Sequence, residues 1–235
     1  MRCVVCGKIT ERGNTEHIRF EHVEPLGVTQ KEIFEHAKKI AYPIEVKTAY
    51  TTCINLKENI IYFSIDNAEL SIAFASEHYD VPWKHVVEWQ ILHEKGHITC
   101  RELYPPPVPF RPYVVVNVED YYINKYLIPQ KYWIVCIANA RCSTLIRKLI
   151  PTPYELRDGY YYCSLATFLA FDAVSKEDFS FLKTSESTFV GKIAEALTDI
   201  KDSEDILTAN NKIGEIFDNL YPPRGISWDE WEILE

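Results

Sequence analysis

Apolar residues first fall into helical spacing at Ile33, Phe34, Ala37 and Ile40, behind a Thr29–Glu32 pair spaced as a capping box. A helix is expected from Thr29 to about Ile40, with Pro43 as its stop. The pattern then changes. Ile44–Leu56 and Ile60–Ile65, joined by Lys57, Glu58 and Asn59, read as a hairpin, and Ala68–Ala75 as a third strand. From Pro82 the helical period returns, with Lys84, Glu88, Lys95 and Glu102 on a polar stripe. Val86 and Trp89 lie to one side of that stripe, and Val87, Ile91 and Ile98 to another. Asp80 is the expected N-cap, Pro82 belongs to the first turn, and the Pro-rich run from Pro105 to Pro112 ends the helix. A second helix is expected over residues 114–128, followed by helices at Tyr132–Ile150, Tyr154–Val174, Ser187–Ile200 and Ser203–Leu220. Leu145, Ile146, Ile150, Leu165, Phe168 and Leu169 are core candidates of this last region. The expected class is α+β in three parts: residues 1–27, a mixed core over 28–129, and a helical region over 130–235.

Composition narrows the function classes. With 235 residues, 47% hydrophobic and 25% charged, the chain is long enough to bury a core and does not have a disordered composition. A net charge of −9 disfavours broad contact with a phosphate backbone, so nucleic acid is not the expected partner. The apolar stretches Tyr132–Ala140 and Tyr160–Phe171 fall short of a membrane span, and MRCVVCGK lacks the apolar centre of a signal peptide. A cytoplasmic protein without a membrane partner is the expectation. The seven cysteines do not suggest a secreted disulfide framework, and Cys136, Cys142 and Cys163 read as buried thiols. A single Met leans towards a thermophilic source.

The chemistry concentrates in the Pro82–Tyr104 helix, where His93, Glu94 and His97 form H-E-x-x-H. On a helix these imidazoles project from one face a turn apart, a spacing at which both reach one Zn²⁺, with Glu94 beside it to take a proton from water. Gly96 costs about 1 kcal/mol in a helix relative to alanine, so it marks a close approach of another element.

This pattern, with Gly just before the second His, resembles the zincin metallopeptidases over about Thr29–Pro129. The resemblance implies a fold of helix, small antiparallel sheet, H-E-x-x-H helix and a following helix that carries an acidic ligand. It implies His93 and His97 as zinc ligands and Glu94 as general base. The metzincin branch is disfavoured, because Leu103 stands where its third His would be. The gluzincin branch takes a carboxylate instead. Glu119 is the expected third ligand, with Asp120 the alternative, or else, together with Asn124, a residue supporting the ligands from behind. By the same resemblance Ala68–Ala75 would be an edge strand that binds the substrate main chain. Tyr121 or Tyr122 is a candidate donor to a developing oxyanion. His36, His78 and His85 read as ordinary polar positions.

Near the N-terminus, Cys3, Cys6, His17 and His22 follow the spacing C-x2-C-x10-H-x4-H. With Gly7-Lys8 after the second cysteine, this resembles a C2H2 zinc finger with a central spacer shorter than the usual twelve or so residues. The resemblance implies a structural Zn²⁺, which would supply most of the folding energy of so small a segment. Arg2, Lys8, Arg12 and Arg19 are balanced by Glu11, Glu16, Glu21 and Glu24, so a structural clip or protein-recruiting module is expected rather than a base reader. The acidic tail Pro222–Glu235, with Trp228 and Trp231, is expected to cap the body. The functional expectation is a zinc-dependent peptidase with one catalytic and one structural zinc, acting on a peptide or protein substrate. The alternative is a regulatory or adaptor protein that uses the finger for recognition and the zincin-like part for binding.

Overall fold

The N-terminal segment has too few apolar residues for a core and instead joins one with the rest of the chain. In the computed structural model, which describes residues 2–10, 14–104, 111–150, 152–153 and 157–221, Cys3, Val4, Val5, Ile18 and Val23 are buried in the main cluster. The turn at its start is closed by Cys3 N–H to the Lys8 carbonyl at 2.8 Å and Gly7 N–H to the Cys3 carbonyl at 2.9 Å. Gly7 takes φ 72°, the left-handed region that only glycine enters freely. Helix α1 (Asn14–Ile18) runs into a π-helical turn (Arg19–Val23) and a 3-10 turn (Glu24–Leu26).

Helix α2 (Gln30–Ala41) begins at the expected capping box: the Glu32 N–H donates to Thr29 Oγ1 at 3.3 Å and the Thr29 N–H to the Glu32 carboxylate at 2.9 Å. Three short strands follow, β1 (Glu45–Thr48), β2 (Cys53–Asn55) and β3 (Ile60–Phe63), in the order β1-β3-β2. β2 and β3 form the expected hairpin, pairing Cys53 with Tyr62. β1 pairs with β3 in parallel, Val46 opposite Ile61, so the sheet is mixed and not the antiparallel one expected. Ala68–Ala75 is not a strand. It lies inside helix α3 (Ile65–Tyr79), which starts at Ser64, whose hydroxyl accepts the Asn67 N–H at 3.2 Å.

Asp80 closes α3 in the left-handed conformation, φ 53°, and does not cap the next helix. That helix, α4 (Trp83–Leu103), starts after Pro82 and carries the H-E-x-x-H pattern. Val86, Val87 and Ile91 are fully buried, each worth roughly 1.5–3 kcal/mol against exposure, and anchor α4 between α2 and α3. Helix α5 (Pro112–Tyr122) continues as a π-helical turn (Ile123–Leu127). A 3-10 turn (Gln130–Tyr132) leads to α6 (Trp133–Leu149), then α7 (Gly159–Ala170), α8 (Thr184–Thr198) and α9 (Asp205–Leu220). α7 is shorter than expected because Asp158 caps it, accepting the Tyr161 N–H at 3.0 Å. α7 packs on α5 and α8, and α9 covers α5 and α8.

The described residues thus form nine helices and one small mixed sheet, an α+β arrangement. Among them no helix is long and apolar enough to cross a membrane. The proline run at 105–110, the start of the helix expected at Tyr154 and the tail Pro222–Glu235 lie outside the described residues.

Candidate metal sites

Helices α4 and α5 place three side chains around one point. His93 Nε2 lies 3.1 Å from Asp120 Oδ1, and His97 Nε2 lies 3.3 Å from the same oxygen. Tetrahedral Zn²⁺ with bonds of about 2.0–2.1 Å sets its ligand atoms about 3.3 Å apart, so these spacings, which are also those of histidine–aspartate ion pairs, are compatible with zinc. His93, His97 and Asp120 form a group that could hold a metal ion, with mutual ligand-atom distances within 4.8 Å.

Glu119, the expected third ligand, is not the carboxylate that faces this point. It is 1% exposed and sits behind His97, taking Nδ1–H at 2.8 Å, the Tyr104 hydroxyl at 2.6 Å and Arg101 Nη2 at 3.2 Å. The reason is helical geometry: neighbours in sequence point about 100° apart, so only one of the two can look into the site. The Glu119 contact takes up Nδ1 and turns Nε2 towards Asp120, the orientation that a carboxylate behind a metal-binding histidine imposes.

Glu94 lies beside the three in the wall of a cleft of about 490 Å³, also bordered by Thr51, Cys53, Gln90, Asn139 and Tyr160. It is 8% exposed, and burial raises its pKa, against the opposing pull of His93 and His97. β2 is an edge strand, paired on one side with β3, and its Cys53 borders the cleft. Burial would lower the His97 pKa, but the hydrogen bonds to Asp120 and Glu119 prevail and push it up to about 10. Asp120 is held well below the ordinary carboxylate range by both histidines, despite burial.

No known family model matches the chain, and no curated protein or solved structure matches it.

The second group lies at the N-terminus. Cys6 Sγ is 3.4 Å from His17 Nε2 and Cys3 Sγ is 3.8 Å from His22 Nε2. With Zn–S near 2.3 Å, tetrahedral geometry sets sulfur and nitrogen ligands about 3.6 Å apart; the two pairs bracket that value, and all four ligand atoms lie within 4.8 Å of one another. His22 Nδ1 lies 3.4 Å from Glu77 of α3, again a carboxylate behind a histidine. Arg19 reaches Glu69 at 3.1 Å and Val5 O faces His78 Nε2 at 3.0 Å, so the segment is fastened along α3 rather than presented freely.

The remaining expected residues fall elsewhere. Asn124 does not orient a histidine: its Oδ1 accepts the Trp89 indole N–H at 2.9 Å and its Nδ2 donates to the Asp120 carbonyl at 2.8 Å. Trp89 in turn packs on His93, ring centroids 5.8 Å apart. Tyr121 is buried against Phe171 and Tyr122 lies on Tyr126, so neither borders the cleft. His36 meets Glu88 at 3.2 Å and His85 lies edge-on to Tyr132; neither belongs to a metal group. Cys136, Cys142 and Cys163 are buried thiols, and burial pushes Cys136 and Cys142 up to about 12.

Tyr160 is the residue that sequence reasoning missed. It borders the cleft while remaining 49% exposed, and its hydroxyl, protonated at neutral pH like any tyrosine's, can donate there. The signal was local: Asp158 and Gly159 start a helix, which fixes where the following residue stands.

Proposed function

We propose that the chain is a zinc-dependent peptidase of the zincin type, with His93, His97 and Asp120 as the metal ligands. The observation that supports this most is the pair of 3.1 and 3.3 Å spacings from one Asp120 oxygen to two imidazole Nε2 atoms, with Glu94 beside them in an open cleft. Three protein ligands fit a catalytic rather than a closed structural site.

Bound Zn²⁺ would supply a Lewis acid and lower the pKa of its water to about 7. The protein's own part follows from the residues. Glu94 accepts a proton from the attacking water on its carboxylate and passes it to the leaving amide nitrogen. Burial, by raising its pKa, suits it to both roles. The free edge of β2 offers backbone groups to an extended chain, the task first expected of Ala68–Ala75. Tyr160 supplies a hydrogen-bond donor to the oxygen on which charge develops. The N-terminal group would hold the structural zinc as a clip on α3. Cys3, Val4, Val5, Ile18 and Val23 of that segment are used internally, which supports the clip, whereas the exposed Ile9, Phe20 and Leu26 are what the adaptor reading would have to use.

The test is metal content followed by hydrolysis. The purified chain is expected to carry two zinc ions and to cleave unfolded polypeptide. Glu94→Gln should retain both ions and lose at least about 100-fold in rate. Cleavage undiminished in that variant, or zinc at the N-terminal group alone, would overturn the reading.

A further inference from the structure

Beside the cleft lies a second cavity of about 240 Å³, walled by the N-terminal segment (Val4, Ile18), by α3 (Leu70) and by the end of α6 (Ile146, Ile150). Asn67, Leu70 and Ile146 border both spaces, so one row of side chains is common to the cavity and the cleft.

The lining decides what it can take. Its two carboxylates are already engaged: Glu69 accepts Arg19 Nε at 3.1 and 3.2 Å, and Asp66 accepts Arg19 Nη2 at 3.3 Å. What faces the space is largely apolar, and at its edge Leu149 and Ile150 remain 39% and 47% exposed. At 240 Å³ the cavity falls below the range of about 300–1,000 Å³ typical of sites for a whole small molecule. Its size suits a single side chain whose backbone is held elsewhere, and the shared row makes the cleft the adjoining space for such a backbone.

We propose that this cavity is a specificity compartment for one large apolar side chain of a polypeptide lying in the cleft, with the Cys/His clip as its wall. The polypeptide occupant rests on the peptidase reading; the apolar character of the compartment does not. The clip then has a role beyond fastening the N-terminus, because its position on α3 sets the width of the compartment.

Two measurements on the full zinc-loaded chain separate this proposal from the reading it rests on. In the first, a randomised peptide mixture is digested and the products are sequenced by mass spectrometry. The expected result is a preference for Leu, Phe or Trp at one position away from the scissile bond. Ile150→Glu should cut kcat/KM for such peptides about 10-fold, through KM, and leave peptides without that residue unaffected. In the second, the isoleucine methyl groups are followed by NMR during titration with N-acetyl-tryptophanamide. Shifts are expected at Ile18, Ile146 and Ile150 and should be lost in Leu149→Glu.

Methyl shifts without any cleavage would remove the peptidase and leave an apolar binding compartment. Cleavage without a positional preference would overturn the compartment as a specificity element while leaving the peptidase intact. If shifts then persisted, the cavity would be a site for small apolar molecules instead.

Discussion

At the scale of single residues, Glu119 and Asp120 divide one task between them. Both are acidic and adjacent, yet one is 1% exposed behind His97 while the other faces two Nε2 atoms. Removing a ligand and removing its support have different costs. Glu119→Gln is expected to keep stoichiometric zinc at the cleft with affinity lowered about 10–100-fold, the usual loss when an outer hydrogen-bond partner is changed. Asp120→Asn should lose stoichiometric binding there altogether. Competition against a chelator measures both. The opposite ranking would return Glu119 to the ligand position.

At the scale of elements, the histidine helix depends on a close approach at Gly96. A Cβ there would stand 2.5 Å from Ile123 Cγ2 and 2.9 Å from Cγ1, atoms near the backbone of the turn that follows Asp120. Gly96→Ala should therefore destabilise the chain by about 1–3 kcal/mol, despite the better helix propensity of alanine, and loosen zinc binding by moving Asp120. Ile123→Ala is itself costly because Ile123 is fully buried, but it should cost less in the Gly96→Ala background than in the parent. Additive effects in that double-mutant cycle would show that the two do not meet. This glycine was readable from the sequence because a helix interior rarely tolerates one without cause.

Other elements were less readable, for physical reasons. Ala68–Ala75 is a short apolar run, and such a run has the same composition in a buried strand and a buried helix. Ser64 as N-cap and the alanines at 68, 73 and 75 favoured the helix, but Ile72 and Phe74 between them carry the alternation of a strand. Asp80 suits a helix N-cap by residue type, yet it serves as the left-handed close of α3. The histidine pair was legible because it is set by spacing within one helix. The choice between Glu119 and Asp120, both named from the sequence, was not, since it depends on how α5 is rotated against α4, and that is decided by packing.

At the scale of the whole molecule, Glu88 joins parts far apart in the chain. From α4 it accepts the Tyr132 hydroxyl at 2.6 Å, at the entrance to α6, and meets His36 Nε2 of α2 at 3.2 Å. Burial would raise its pKa, but the hydrogen bonds from Tyr132 and His36 prevail and hold it below the ordinary value of 4.5. A carboxylate depressed in the folded state stabilises fully above its unfolded pKa and loses that contribution as pH falls through the folded value. Glu88→Gln should therefore cost about 1 kcal/mol at pH 7, where a charged acceptor is replaced by a neutral one, and the cost should shrink as pH falls below about 4. Denaturant unfolding of both proteins at pH 7 and in steps down to pH 3 measures the difference. A gap that stayed constant over that range would mean that the Glu88 charge takes no part in holding α2 and the start of α6 against α4, leaving apolar packing around Val86 and Val87 to do so alone.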